Sequence, residues 1–386
     1  MKPRILTGII AMVLLTSLAM IPVRLVAQDN HDNEGGKLIT FDVPGAGTGA
    51  GQGTFAFSLG GVAAISPSGA VTGPYRDASN VSHGFLRTPG GAIITFDAPG
   101  AGTGAGQGTV PVSIIAAGAI TGAYIDARNV IHGFLRTPDG AITTFDAPGA
   151  GTAAGQGTTA LDINPAYTIA GEYLDASNVL HGFLRTPDGA ITTFDAPGAG
   201  TAANQGTGPG SVSCLNPQGA ISGGYTDASN VSHAFIRAPD GVFTTIDPPG
   251  AGTGAGQGSF AGSINPAGAV TGFYIDASNV THGFLRTPDG AITTVDIPGA
   301  GTAAGQGTNV ANLNPSLEIT GSYIDANNVS HGFIRTRHGA ITTFDVPGAG
   351  AAAGQGTVPY SNNPAGAITG FYVDGNNVFH GFLRTD

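Results

Sequence analysis

The 386-residue sequence contains a single cysteine, Cys214, and no tryptophan. One thiol excludes an intrachain disulfide and any cysteine-based zinc cluster. Methionine is confined to Met1, Met12 and Met20. Charge is scarce, since Asp, Glu, Lys and Arg together make only 10% of the chain. Beyond Ala27 there are 11 basic and 25 acidic side chains, a formal charge of −14. That balance excludes the basic footprint of a nucleic-acid-binding protein. After residue 36 no segment carries a convincing 3.6-residue hydrophobic period, so amphipathic helices are not expected. Glycine (65) and proline (25) are abundant, yet 41% hydrophobic content separates the chain from simple low-complexity disorder.

The amino terminus has a different character. Lys2 and Arg4 precede an apolar run from Ile5 to Val23, and Leu25-Val26-Ala27 leads into polar residues Gln28 to Gly36. This order reads as a secretory signal peptide over residues 1–27, cut after Ala27, followed by a polar linker over 28–36. The apolar stretch between Arg4 and Arg24 is also long enough to remain as an uncleaved membrane anchor. Both arrangements leave Lys2 and Arg4 in the cytoplasm and the rest outside it. The body is therefore expected to be extracellular or periplasmic, touching a membrane only through that segment if it is retained.

Self-similarity dominates residues 37–386. A His-Gly/Ala-Phe segment recurs with its histidine at 83, 132, 181, 233, 282, 331 and 380, a spacing of 49 residues with one interval of 52. Aspartates ending a short β-like run recur at 42, 97, 146, 195, 247, 296 and 345. The extra residues fall around Gly60 to Ala64 and Gly208 to Gly210. One copy reads as four strands, over about 260–265, 269–276, 280–287 and 291–296. They are joined by Asn265-Pro266-Ala267-Gly268, Asp276-Ala277-Ser278-Asn279 and Thr287-Pro288-Asp289-Gly290. Seven such copies predict an all-β, seven-bladed β-propeller of four-stranded antiparallel blades. The body opens on a lone fourth strand, Lys37 to Asp42, and closes on a third strand, His380 to Arg384. Pairing the two would complete the last blade and close the ring.

The repeats resemble the bacterial extracellular HAF repeat. Its signature stands literally as His233-Ala234-Phe235, preceded in each copy by a stretch such as Asn265 to Tyr274. The resemblance spans roughly residues 37–386 and implies an exported, propeller-like repeat protein. It supplies no activity and no catalytic residues.

The tempting chemistry is the recurring Tyr, His and Asp. With three-residue turns, Tyr75 faces His83 and His83 faces Asp97 across adjacent strand pairs, and every copy repeats the set. One catalytic site would not need seven copies, so the row is read as structural hydrogen bonding. Arg87 and its six counterparts are read as blade-edge pairing or snorkelling. The Gly/Ala connectors lack the Gly-Lys-Ser/Thr ending of a phosphate loop and are read as flexible crossovers. Asp-Ala-Ser-Asn turns explain their own residues without a metal. Cys214 is read as a buried small apolar side chain. Glu172 and Glu318 are unrepeated but lie in different copies, and make no evident carboxylate pair.

Function is expected where the amides gather. Antiparallel connections alternate ends, so the Asp-Ala-Ser-Asn turns and the Gly-rich connectors share one end. That end would display Gln52, Gln107, Gln156, Gln205, Gln257, Gln306 and Gln355 with Asn80, Asn129, Asn178, Asn230, Asn279, Asn328 and Asn377. An amide-rich, weakly charged face suits a neutral glycan or a surface protein, and the same amides also suit stabilisation of their own turns. The expected function is a non-enzymatic binding module or cell-surface scaffold with no cofactor and no metal. The alternative is an extracellular polysaccharide hydrolase or lyase on the same scaffold.

Overall fold

The computed structural model describes residues 30–33, 36–55, 64–210 and 213–385. The expected signal segment, residues 1–27, lies outside them, as does most of the insertion near Gly60. Among the described residues every regular element is a strand. Each full copy follows the order expected from the turns. In the second these are Gly108–Ile114, Ile120–Ile125, Ile131–Arg136 and Ile142–Phe145. Asn-Pro turns close on a residue at positive φ: glycine at Gly268 (+84°), whose amide donates to the Asn265 carbonyl at 3.0 Å, but Tyr167 (+61°) and Leu317 (+60°) in the third and sixth copies. The Asp turns close on asparagine, with φ near +62° at Asn80 and Asn279.

Separate four-stranded blades do not form, and the expected seven-bladed propeller is corrected on that point. The first three strands of each copy pair antiparallel, and the third then pairs in parallel with the first strand of the next copy. Ile131 meets Gly157 in this way, Ser82 meets Gly108, and Phe379 meets Gly53 to complete the circuit. Three strands from each of seven copies thus make one closed, mixed 21-strand barrel, with extra strands flanking it. The physical reason lies at the connector glycines. Gly157 has φ +122°, and a Cβ there would lie 2.0 Å from the Ile131 carbonyl oxygen. Only glycine lets the two backbones approach closely enough for the parallel link. The connectors are pinned rather than flexible.

The fourth strand is a short flank. Ile142–Phe145 pairs only with Gly133–Arg136, because the N-terminal end of that edge is already taken by the next copy. Beyond Asp146 the chain leaves the ladder, and the Ala147 amide donates to Thr158 Oγ1 of the next copy at 2.9 Å. The chain ends meet in the same pattern. Gly36–Phe41 pairs antiparallel with Phe379–Thr385, from Lys37 opposite Thr385 to Phe41 opposite Gly381. Asn30–Asn33 adds one more antiparallel strand beside it.

The core lies between copies. A phenylalanine on every third strand is fully buried, from Phe85 to Phe382, and each sits opposite a second-strand glycine such as Gly73 or Gly171. The fourth-strand phenylalanines reach across to the next copy. Phe145 lies over Gly133 of its own copy, edge-on to Phe183 of the next at 6.1 Å. Five of the seven repeated arginines use the same rings: the Arg185 guanidinium stands 4.9 Å from the Phe145 centroid and that of Arg136 4.9 Å from Phe96. Blade-edge pairing or snorkelling was expected of these arginines, and contact with a ring of the neighbouring copy is found.

Candidate functional site

The Tyr-His-Asp row forms as the register requires, and it recruits a second carboxylate. His83 Nδ1 lies 2.9 Å from Asp97 Oδ2, and Nε2 lies 3.6 Å from Asp77 Oδ2 in the preceding turn. The imidazole stacks on Tyr75 with centroids 5.1 Å apart and planes 26° apart. Asp77 is itself held by the amides of Ser79 and Val81, both at 2.8 Å. The other six copies repeat this, as at His181 between Asp195 and Asp175. The two carboxylates address opposite ring nitrogens and so do not converge on a point where a metal could sit. Burial first, then the neighbouring aspartates, raises the Tyr75 hydroxyl above its ordinary range. A stacked imidazole with both nitrogens engaged is locked in orientation. Asp97 keeps half of its side-chain surface exposed, and its counterparts are similar.

The connectors and Asp turns do share one end, and their amides bond to each other. Gln52 Oε1 accepts from the Gly49 amide at 3.0 Å, while Nε2 donates to Asn80 Oδ1 at 3.2 Å. The pair recurs in all seven copies, for example Gln156 to Asn178 and Gln205 to Asn230, both at 3.0 Å. Gln156, Gln205, Gln306 and Gln355 are buried, whereas the seven asparagines are exposed. Each glutamine therefore clamps its own connector onto the turn, and the asparagine is what faces solvent.

A polar belt that the sequence did not announce lines the axis. A bulge in the first strands re-aims the residue after it inward, placing Ser113, Asp162, Ser263, Asn312 and Ser361 around the centre. Ser113 Oγ donates to Asp162 Oδ1 at 2.6 Å, and the Leu215 amide donates to Oδ2 at 2.8 Å. Burial outweighs these donors and raises Asp162 to about 6. Asn312 Nδ2 reaches Ser213 at 3.2 Å and Ser361 at 3.3 Å. Most of these bonds join consecutive copies, and the Asn312–Ser213 bond ties the fourth copy to the sixth. Cys214 beside the belt is fully buried, and burial raises its thiol well above the usual range.

One place breaks the repetition. The residue before each second-strand tyrosine is Pro74, Ala123, Glu172, Gly224, Phe273, Ser322 or Phe371. Its partner on the first strand is Thr159 opposite Glu172, Phe260 opposite Phe273, and Gly208 opposite Gly224. Glycine opposite glycine removes both side chains from the fourth copy. The result is a cavity of about 300 Å³ lined by Glu172, Leu180, Gly208, Gly224, Tyr225, Phe260 and Phe273, among others. Phe260 and Phe273 stack with centroids 4.8 Å apart. A Cβ on Gly208 would lie 2.4 Å from Glu172 Oε2, so the carboxylate rests over that glycine. Burial raises Glu172 to about 7. The sequence contained this signal in the Gly208 insertion and the unrepeated Glu172, but only packing brings them together with two phenylalanines of the next copy.

No protein-family model and no curated protein matches the sequence. Solved structures do. A prolyl endopeptidase aligns with a TM-score of 0.52 and 11% identity over 79% of this chain, which spans 45% of that protein. A lectin from Burkholderia pseudomallei aligns at 0.51 and 11% identity, covering 83% of this chain and 95% of its own. A fungal lectin from Aleuria aurantia, described as a six-bladed β-propeller with a novel fucose recognition mode, aligns at 0.41 and 11% identity over 79% and 99% of the two chains. At these identities the likeness is one of fold: all-β and propeller-like.

Proposed function

We propose that this chain is an exported, non-enzymatic binding module of the HAF-repeat kind whose Asp-turn end takes a neutral glycan. The observation that supports it is the sevenfold recurrence, on one end, of a half-exposed, pre-oriented carboxylate (Asp42 to Asp345) near an exposed asparagine. A fixed carboxylate accepts from sugar hydroxyls, and an amide both accepts and donates. Each such contact is weak, and seven on one rigid ring act together through effective concentration. On this reading the seven glutamines of the amide face serve from below, holding the asparagines in place. The fold shared with a lectin agrees with this reading without carrying it. A hydrolase would want two convergent unrepeated carboxylates. The fourth-copy cavity has Glu172 alone among its lining residues.

The test is a glycan array probed with the secreted protein, followed by titration of the best ligand against a triple variant, Asp97→Asn, Asp195→Asn and Asp296→Asn. Affinity should fall by more than tenfold while the melting temperature stays within a few degrees. Absence of any glycan bound, or unaltered affinity in the folded variant, would overturn the proposal. Mass spectrometry of the same secreted protein should find Gln28 at its amino terminus, and an intact residue 1 would favour the retained anchor.

A further inference from the structure

We infer that the gap in the fourth copy is a separate binding site for an organic ammonium group carrying a small apolar body. The site is built from three copies: Glu172 from the third, the Gly208–Gly224 gap from the fourth, and the Phe260–Phe273 stack from the fifth. Its carboxylate makes no hydrogen bond or ion pair among the described residues, and lies over Gly208 at the cavity wall. A carboxylate in such surroundings is costly unless a positive partner completes it. The aromatic rings of Phe260 and Phe273 in the same lining add attraction for that charge. The rest of the lining is largely apolar, with Tyr225, Thr226 and Ser232 as its polar side chains. A neutral sugar, which needs several donors and acceptors, would leave hydroxyls unmatched there. No lysine, arginine or histidine lines the cavity to compete. The titratable group coupled to Glu172 is the Cys214 thiol, which burial pushes well above its usual range and so keeps neutral near pH 7. A body with a formal charge of −14 draws cations toward it.

This inference is independent of the glycan reading, and failure of the array would leave it standing. Its probe is cyclohexylamine, with cyclohexanol as the uncharged analogue of nearly equal shape, titrated calorimetrically into the intact protein. Cyclohexylammonium should bind one per chain at pH 8.5, and about thirtyfold more weakly at pH 5.5, where a carboxyl raised to about 7 is protonated. Cyclohexanol should bind at least tenfold more weakly. Glu172→Gln should abolish both the binding and its pH dependence. Gly224→Val should also abolish binding with melting unchanged, because a Cβ there meets only the His233 carbonyl, at 3.6 Å. Equal binding of cyclohexanol, an affinity independent of pH, or retention of binding in Glu172→Gln would each overturn the inference.

Discussion

Replacing Phe41 by alanine should cost as much stability as replacing Phe145, although one lies at the seam between the chain ends and the other inside continuous sequence. Their surroundings are matched. Phe41 lies over Gly381, edge-on to Phe85 at 6.0 Å, with the Arg87 guanidinium 5.2 Å from its centroid. Phe145 lies over Gly133, edge-on to Phe183 at 6.1 Å, with Arg185 at 4.9 Å. Both rings are partly exposed, so the loss should fall below that of a fully buried phenylalanine, at about 2–4 kcal/mol. That figure includes ~0.5–1 kcal/mol for the guanidinium over the ring. Phe41 also touches Phe55 edge-on at 6.1 Å, which places its loss at the upper end. Urea unfolding with a common slope would measure both variants. In a closed barrel the seam carries the same load as any other junction between copies. A loss below about 0.5 kcal/mol for Phe41→Ala beside several for Phe145→Ala would refute closure of the ring.

Two further outcomes follow from the connectors and the imidazole row. Gly157→Ala should prevent folding or cost more than about 4 kcal/mol, since its Cβ would strike the Ile131 carbonyl. Gly155→Ala, also at positive φ but with nothing within 4 Å, should cost about 1–2 kcal/mol, and equal losses would refute the parallel link as the joint between copies. Asp175, Asp227 and Asp325 are held below their usual range, first by the amides of Val179, Val231 and Val329. Their contribution is present above the unfolded carboxylate range and is lost as pH falls through the depressed values, so melting temperature should drop as pH is lowered below about 4. His380 has the opposite sign: burial lowers its pKa, but Asp42 and Asp374 outweigh burial and leave it raised. Its contribution is present below the unfolded value and fades as pH rises through the folded one, and Asp42→Asn should flatten that slope in a thermal scan.

Much of the architecture was legible because it is written in local rules. Proline, glycine and asparagine at fixed offsets set the turns, and three-residue turns set the register that places Tyr75, His83 and Asp97 side by side. An unpaired fourth strand at one terminus and an incomplete copy at the other foretold the pairing of Lys37–Phe41 with Gly381–Thr385. What the sequence could not decide depends on which edge of a strand is free. The third strand had one edge to offer, and tertiary approach at Gly157 and its counterparts divided that edge between the next copy and the fourth strand. Separate blades thereby became one barrel. Gln52 and its counterparts turned inward for a similar reason, since a connector pinned at its glycine brings the amide onto the asparagine turn. Arg185 found Phe145, and Glu172 found Gly208 and the neighbourhood of Phe260, only because consecutive copies pack face to face. Contacts within a copy follow from spacing along the chain, whereas contacts between copies follow from how closely two backbones can approach, and that the closed ring alone decides.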